Sequence, residues 1–377
     1  MGATKNGRRG KVVRMNASSR PLHARIHLDA IRHNYRIAKA SAPSSRALAV
    51  VKANAYGHGA IEVARALAPE ADGFAVACLE EALELRESGI RDRILLLEGV
   101  FAPDELAQVD AAELTMVVHC REQLDWVLAA RPERPLRCWI KVDSGMHRVG
   151  FAPGDFGAIH AALGACAHVG ELGAITHFAR ADEPGHPFIQ RQLADFDRAL
   201  GGKAVMSSLS NSAAVLSLPR AHRDWTRPGI MLYGISPFVA SHPAAAELRP
   251  AMTLESAIIA VRDLAPGEPL GYGGRFVCDR PTRVGVAAVG YADGYPRHAP
   301  DGTPLAVAGR PTRLIGRVSM DMIMLDLTGM EDVGLGAPVQ LWGDRVPAAE
   351  VAQAAGTIAY ELFTGIGRRV PLIHEGV

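Results

Sequence analysis

The residues best suited to chemistry are cations set singly at the ends of short apolar runs. Lys52 closes "ALAVVK" and opens the Gly-rich "ANAYGHGA". Lys141, Asp143 and Arg148 lie in and after "LRCWIKVD", and His177 lies near the end of "ELGAITHF". Ser210 ends "AVMSSLS", Asn211 and Ser212 follow it, and Arg227 precedes "PGIMLYG". Four cations with one neutral base suit an anionic ligand, with phosphate the foremost candidate. "RPGI" adds backbone N–H donors, and "SNSAAV" opens a short helix whose N-terminus is another place for phosphate. A lysine in an apolar mouth among other cations loses proton affinity and becomes nucleophilic. An amine that condenses with an aldehyde cofactor beside a phosphate site is the chemistry of pyridoxal 5'-phosphate (PLP). Taken alone, Lys52 is more simply a lysine that snorkels from a strand end to solvent.

These positions need a scaffold that gathers strand ends on one face. Apolar runs at 47–52, 73–78, 93–99, 114–120, 136–143, 171–178, 204–210 and 229–235 predict strands. Stretches between them predict helices: "LEEALELRESG" stops at Gly89, "APDELAQV" starts on Pro103, and "HPFIQRQLADFDRAL" spaces Ile189, Leu193, Phe196 and Leu200 helically. Eight βα units predict an α/β fold, a (β/α)8 TIM barrel with its active site at the C-terminal strand ends. A doubly wound open sheet shares the local pattern and is the alternative. After "PAAAELRPAM", a linker, short β-rich runs divided by Gly and Pro predict a mainly β C-terminal domain. The expected organisation is a disordered basic tail over 1–22, a PLP-binding barrel over 23–240, and the β domain over 241–377. The strand-like "HARIHLD" (23–29) is a candidate to pair with the β domain.

Composition narrows the function. With 41 basic and 40 acidic residues the formal charge is +1, and the body of the chain has no basic stripe for nucleic acid. No run approaches the roughly 18 apolar residues of a membrane span, and the basic start lacks the apolar segment of a secretory signal. The five cysteines are widely spaced without a C-x-x-C, which argues against a disulfide framework or a zinc site and for the cytoplasm.

From "RIHLDAIRHNYR" to "RRVPLI" the chain resembles the alanine racemases. "AVVKANAYGHGA", "DGFAVACLEEALELR", "KVDSGMHRVGF", "THFARADE", "SNSAA", "RPGIMLYG", "GYGGRF", "VGYADGYPR", "GRVSMDM" and "AYEL" carry the resemblance, in order. It implies a PLP-binding barrel followed by a β domain, acting as a homodimer whose sites are shared between subunits.

The resemblance also implies roles. Lys52 carries PLP and serves as the base on the D-alanine side, and Tyr272 of "GYG" is the base on the L-alanine side. His177 supports Tyr272, and Arg227 holds His177 and meets the pyridine nitrogen. Arginine does not readily yield a proton, so that nitrogen stays neutral and the electron sink is weaker than with an aspartate. Tyr56, Ser212, the N–H groups of Gly229 and Ile230, and Tyr360 hold the phosphate. Arg148 contacts the phenolic oxygen of PLP and the substrate carboxylate, which the Met320 N–H also meets; Asp321 follows at the mouth. Lys141 is a candidate for carbamylation beside Arg148, and Asn211 either touches ligand or caps its helix. Ser208, Ser319 and Thr364 depart from a histidine and two cysteines frequent in relatives.

The implied reaction interconverts L- and D-alanine, supplying D-alanine for peptidoglycan or L-alanine for catabolism, with no metal. Alternatives are a broader-specificity racemase of the same fold, a PLP decarboxylase, which would want an acid in place of Arg227, and a non-catalytic PLP-binding protein, which would not need the second domain.

Overall fold

The structure is a computed structural model that describes residues 19–376 of the 377. Of the basic tail expected over 1–22, residues 1–18 lie outside the described residues. The last part of that stretch belongs to the fold: Leu22 is buried and Arg20 is ion-paired to Asp293.

Eight parallel strands close into a barrel: β2 (Arg46–Val50), β3 (Gly73–Val76), β4 (Ile94–Leu96), β5 (Thr115–Val118), β6 (Leu136–Lys141), β7 (Val169–Ile175), β8 (Met206–Ser208) and β9 (Trp225–Thr226). Helices run between them, among them Leu79–Glu87, Glu105–Ala111 and Pro187–Leu200. β2, β3, β4 and β5 are almost wholly buried, since the barrel interior covers one face and the helices the other. That is why they read as unbroken apolar runs.

The eighth strand is not where the apolar run at 229–235 predicts it. The chain pairs through Trp225 and Thr226 with β2 and β8, then leaves the sheet at Arg227-Pro228. Ile230–Tyr233 is a 3-10 turn, buried on every side and ended by Gly234 at φ +82°. A short apolar run bounded by Gly cannot by itself distinguish a buried strand from a buried helical turn.

The C-terminal part builds a mixed sheet in the order β15 (Arg310–Arg313), β14 (Pro304–Val307), β17 (Pro338–Trp342), β10 (Met252–Leu264), β1 (His23–His27), β18 (Leu372–Glu375). β13 (Thr282–Ala287) pairs with β10 and with β16 (Ile323–Asp326). A separate hairpin pairs β11 (Pro269–Leu270) with β12 (Phe276–Val277), and the loop between these two strands carries Tyr272. β1 thus lies outside the barrel, antiparallel to β10 and parallel to β18. Helix Leu28–Ser41 then leads from the sheet to the first barrel strand.

Candidate active site

The chain leaves β2 at Lys52 through an unusual turn. Ala53, Asn54, Ala55 and Tyr56 all have φ between +51° and +54°, a left-handed helical turn of non-glycine residues. Ala53, Ala55 and Tyr56 each cost about 1–2 kcal/mol there and Asn54 less, so the turn stores roughly 3–6 kcal/mol. Surrounding contacts over-determine it. Glu81 Oε1 accepts from Ala53 N–H at 2.6 Å, Val51 O accepts from Ala55 N–H at 2.8 Å, and Asn54 Oδ1 accepts from Ala60 N–H at 2.8 Å. Gly57 follows at φ +80°, where a Cβ would lie 2.1 Å from Phe363 O. This close approach docks the turn on helix Ala359–Thr364. Tyr56 is buried there, its ring centroid 4.8 Å from that of Tyr233 and 5.9 Å from that of Tyr360. His58 closes the turn, buried between Tyr233 and Phe363, with burial holding its imidazole down near a pKa of about 4.

Lys141, Arg148 and His177 line one small cleft with Asp143 and Thr176, at the ends of β6 and β7. Asp143 organises the loop that carries Arg148. Its Oδ1 accepts from the N–H groups of Gly145 (3.0 Å) and His147 (2.9 Å), and its Oδ2 lies 3.0 Å from His147 Nδ1. Part of the Lys141 side chain reaches the cleft surface, but its amine sits among cations. Burial first, then Arg227 and Arg148, pushes it down to about 7. Sequence reasoning reserved a depressed amine for Lys52 and did not single out Lys141 for it. The Lys52 ammonium is a further charge acting on both Lys141 and His177, so the three groups share one field.

Arg227 is buried, and both terminal nitrogens are hydrogen-bonded. One terminal nitrogen donates to Ser208 Oγ at 2.5 Å; the other donates to Thr176 O (2.7 Å) and Leu209 O (3.3 Å) and reaches His177 Nδ1 at 3.4 Å. Burial lowers the guanidinium to about 9, still charged at neutral pH. Burial, with Arg227 next, holds His177 well below the ordinary histidine value, so its imidazole is neutral. The departure at Ser208 has a structural reading: its hydroxyl accepts from Arg227 and donates to Trp225 O at 2.8 Å, which ties the guanidinium to β9.

Ser212 Oγ accepts from the N–H groups of Gly229 (2.8 Å) and Met231 (3.3 Å), which draws together the ends of β8 and β9. A Cβ at Gly229 would lie 2.8 Å from the Tyr56 hydroxyl. Only glycine leaves that space, and the Ile230 N–H, at the first position of its 3-10 turn, has no intrahelical acceptor. Asn211 caps helix Ser212–Ser217, its Oδ1 accepting from Ala214 N–H at 3.1 Å.

Three expected site residues stand apart. Tyr272 is 70% exposed and Met320 53% exposed. No hydrogen bond or ring contact joins either side chain to the barrel residues above, among the described residues. Asp321 pairs with Arg369 instead. Thr176 and Ser208 hold Arg227, and nothing in their sequence setting announces it.

The chain matches the alanine racemase N-terminal domain over residues 26–237 and the alanine racemase C-terminal domain over 251–374. It belongs to the alanine racemase family. It is 55% identical to alanine racemase of Pseudomonas syringae pv. syringae over 356 residues, 94% of this chain and 99% of the relative. It is 54% identical to a catabolic alanine racemase of Pseudomonas aeruginosa, covering 95% and 99% of the two chains. The crystal structure of the biosynthetic alanine racemase from the same species superposes with a TM-score of 0.92 at 50% identity, covering 95% of this chain and all of that one. Members of the family are isomerases, and the barrel followed by a mainly β domain is the family's architecture. Among the described residues no helix is long and apolar enough to cross a membrane.

Proposed function

We propose that this enzyme interconverts L- and D-alanine with PLP, using Lys52 and Tyr272 as bases on opposite faces of Cα. The carrying observation is the cluster at one end of the barrel, where Lys141, Arg148 and Arg227 surround a neutral His177 within the field of Lys52. The residues present fit PLP. The Gly229 position leaves room beside the Tyr56 hydroxyl; Ser212, Ile230 and Tyr360 offer neutral donors for a phosphate, and the Gly229 N–H, which here donates to Ser212 Oγ, would turn to it. Arg227, charged and anchored, suits a neutral ring nitrogen. When bound, PLP supplies the aldehyde that takes up an amine and the ring that acidifies the adjacent Cα–H.

Racemisation requires a proton removed at one face and returned at the other. Lys52 Nζ moves the proton on the D side and Tyr272 Oη on the L side. Arginine only donates, so His177 Nδ1 must accept from Arg227. The imidazole proton is then on Nε2, where it can donate to Tyr272 Oη and orient that oxygen for proton transfer. Arg148 and the Met320 N–H hold the substrate carboxylate. The exposure of Tyr272 and Met320 is what a homodimer predicts if the β domain of each subunit completes the other's site. A carbamate on Lys141 would replace a cation beside Arg148 with an anion. The enzyme acts in the cytoplasm, on small molecules, without metal or nucleic acid. The two enantiomers have equal free energy, so the chain sets no direction: supply of D-alanine for peptidoglycan and supply of L-alanine for catabolism are both open to it.

A coupled D-alanine assay on purified, PLP-saturated protein, run beside its visible absorbance spectrum, tests this reading. Turnover of alanine with a cofactor band is expected. Saturated protein lacking both band and turnover overturns it.

A further inference from the structure

The substrate-carboxylate loop is braced by a charge network that reaches the first described residues of the chain. Asp293 is fully buried. Its Oδ2 accepts from Gly290 N–H at 2.8 Å, which closes the tight Gly290–Gly294 turn. That turn is bolted to the loop bearing Met320: Tyr291 N–H donates to Ser319 O and Ala292 N–H to Met320 O, both at 3.0 Å. A Cβ on Gly290 would meet Met320 O at 2.3 Å, so nothing larger than glycine permits the approach.

Two arginines from distant parts of the chain grip both loops. Arg20 donates to Asp293 Oδ1 (2.6 Å) and Oδ2 (2.8 Å), and to Asp321 O at 2.9 Å. Arg369 donates from Nε to Asp293 Oδ1 at 2.6 Å and from a terminal nitrogen to the Asp321 carboxylate at 2.5 Å. Each arginine therefore spans from the buried Asp293 to Asp321, the residue after Met320. Burial works against the Asp293 charge, but the bonds from Arg20, Arg369 and Gly290 outweigh it and hold the carboxyl below its ordinary value. A two-pronged guanidinium suits this double grip, whereas an ammonium offers a single point. The Met320 N–H itself meets no acceptor among the described residues, and its neighbours are all tied down.

We propose that Arg20 and Arg369, acting through Asp293, are positioning residues that fix the Met320 amide where the substrate carboxylate binds. The inference rests on Met320 meeting that carboxylate. Neither arginine touches substrate. Each acts by removing the freedom of the loop, so its loss should weaken carboxylate binding and spare the proton transfers at Cα.

The test is Arg20→Met and Arg369→Met, each made in the full-length, PLP-loaded enzyme. In each variant KM for L- and D-alanine should rise about five- to twentyfold, as expected for losing a bonded charge, with kcat within about threefold of wild type. The inhibition constant of acetate, a carboxylate without the amine, should rise in parallel, and PLP affinity should stay unchanged. In the double variant KM should exceed that of the worse single variant only slightly, because both act on the same pair, Asp293 and Asp321. Arg20→Lys, a milder change in case Met prevents folding, should give an intermediate KM. Unchanged KM and acetate inhibition overturn the proposal, as does a fall in kcat, PLP affinity or thermal stability at constant KM, or an Arg20→Lys enzyme indistinguishable from wild type. Wild-type enzyme that fails to turn over alanine removes the underlying reading and this inference with it; wild-type turnover with unchanged variants removes this inference alone.

Discussion

A terminal nitrogen of Arg227 reaches Nδ1 of His177 at 3.4 Å while the same guanidinium is held by Ser208, Thr176 and Leu209. The arginine cannot rotate away and cannot accept. It therefore selects one tautomer of a neutral imidazole, with the proton on Nε2.

Histidine labelled with 15N should report this directly. The His177 signals are expected to show an Nε2–H tautomer that stays neutral well below the ordinary histidine range, because burial and then Arg227 lower its proton affinity. In Arg227→Lys enzyme, which lacks the fork, the tautomers should mix and kcat should fall by about ten- to a hundredfold. An imidazolium at neutral pH in the wild-type enzyme would falsify the assignment.

Lys141 gives a pH signature. Its amine is lowered from 10.5 to about 7, so between those values the unfolded chain binds a proton that the folded chain does not. Folding stability linked to this group should rise with pH through that window and be weakest below it. The same neutral amine is competent to add CO2, releasing one proton and forming a carbamate. Enzyme in 13C-bicarbonate should show a carbamate carbon resonance that Lys141→Ala removes. A spectrum without that resonance, or one that survives the substitution, rules the carbamate out.

The left-handed turn after Lys52 makes an unusual stability prediction. Ala53 is exposed at φ +51°. Ala53→Gly should relieve steric cost faster than it adds backbone freedom and stabilise the protein by about 0.5–1 kcal/mol, the reverse of glycine's usual effect. Gly57→Ala should destabilise it by more than this, since the new methyl meets Phe363 O. Denaturant midpoints measured at equal slope decide both. Destabilisation by Ala53→Gly would show that the turn is not strained.

The shared-site reading predicts complementation. Lys52→Ala and Tyr272→Ala proteins should each be inactive, with Lys52→Ala also losing the borohydride-fixed PLP peptide. Refolded together with PLP, random pairing should make roughly half the dimers mixed, each with one intact site, and restore about a quarter of the activity of identically refolded wild type. Mixed dimers that form but remain inactive would show that both bases come from one chain, or that Tyr272 is not the second base.

Seven of the barrel strands were legible as short apolar runs: "ALAVV" and "TMVV" are apolar because both faces are covered, whereas β8, Met-Ser-Ser, was legible only through the apolar residues that flank it. The eighth was not, because Trp225 and Thr226 are too few to make a pattern and the apolar run beyond them packs as a buried turn. The cations at the strand ends were legible once a barrel was supposed. What holds Arg227 was not, since Thr176 contributes a carbonyl that any residue could provide. Nor was the turn at Ala53–Tyr56: alanine and tyrosine have no left-handed preference, and the conformation is imposed by Glu81 and Phe363 from elsewhere. Arg20 looked like the end of a charged tail because its partners, Asp293 and Asp321, lie some 270 to 300 positions away.

The position of β1 between β10 and β18 has a consequence for biosynthesis. Residues 23–27 leave the ribosome before any barrel strand, yet their parallel partner, Leu372–Glu375, is made about 350 residues later. At about 5–20 residues per second, the opening strand waits roughly 20–70 s for its slot to exist. The barrel can close during that interval with an unpaired strand hanging from its first helix. Cutting the gene at the linker near residue 245 would therefore not yield two whole halves. The barrel fragment would carry an orphan strand, and the C-terminal fragment would lose the strand that separates β10 from β18, leaving two bare edges where adhesion to other chains begins.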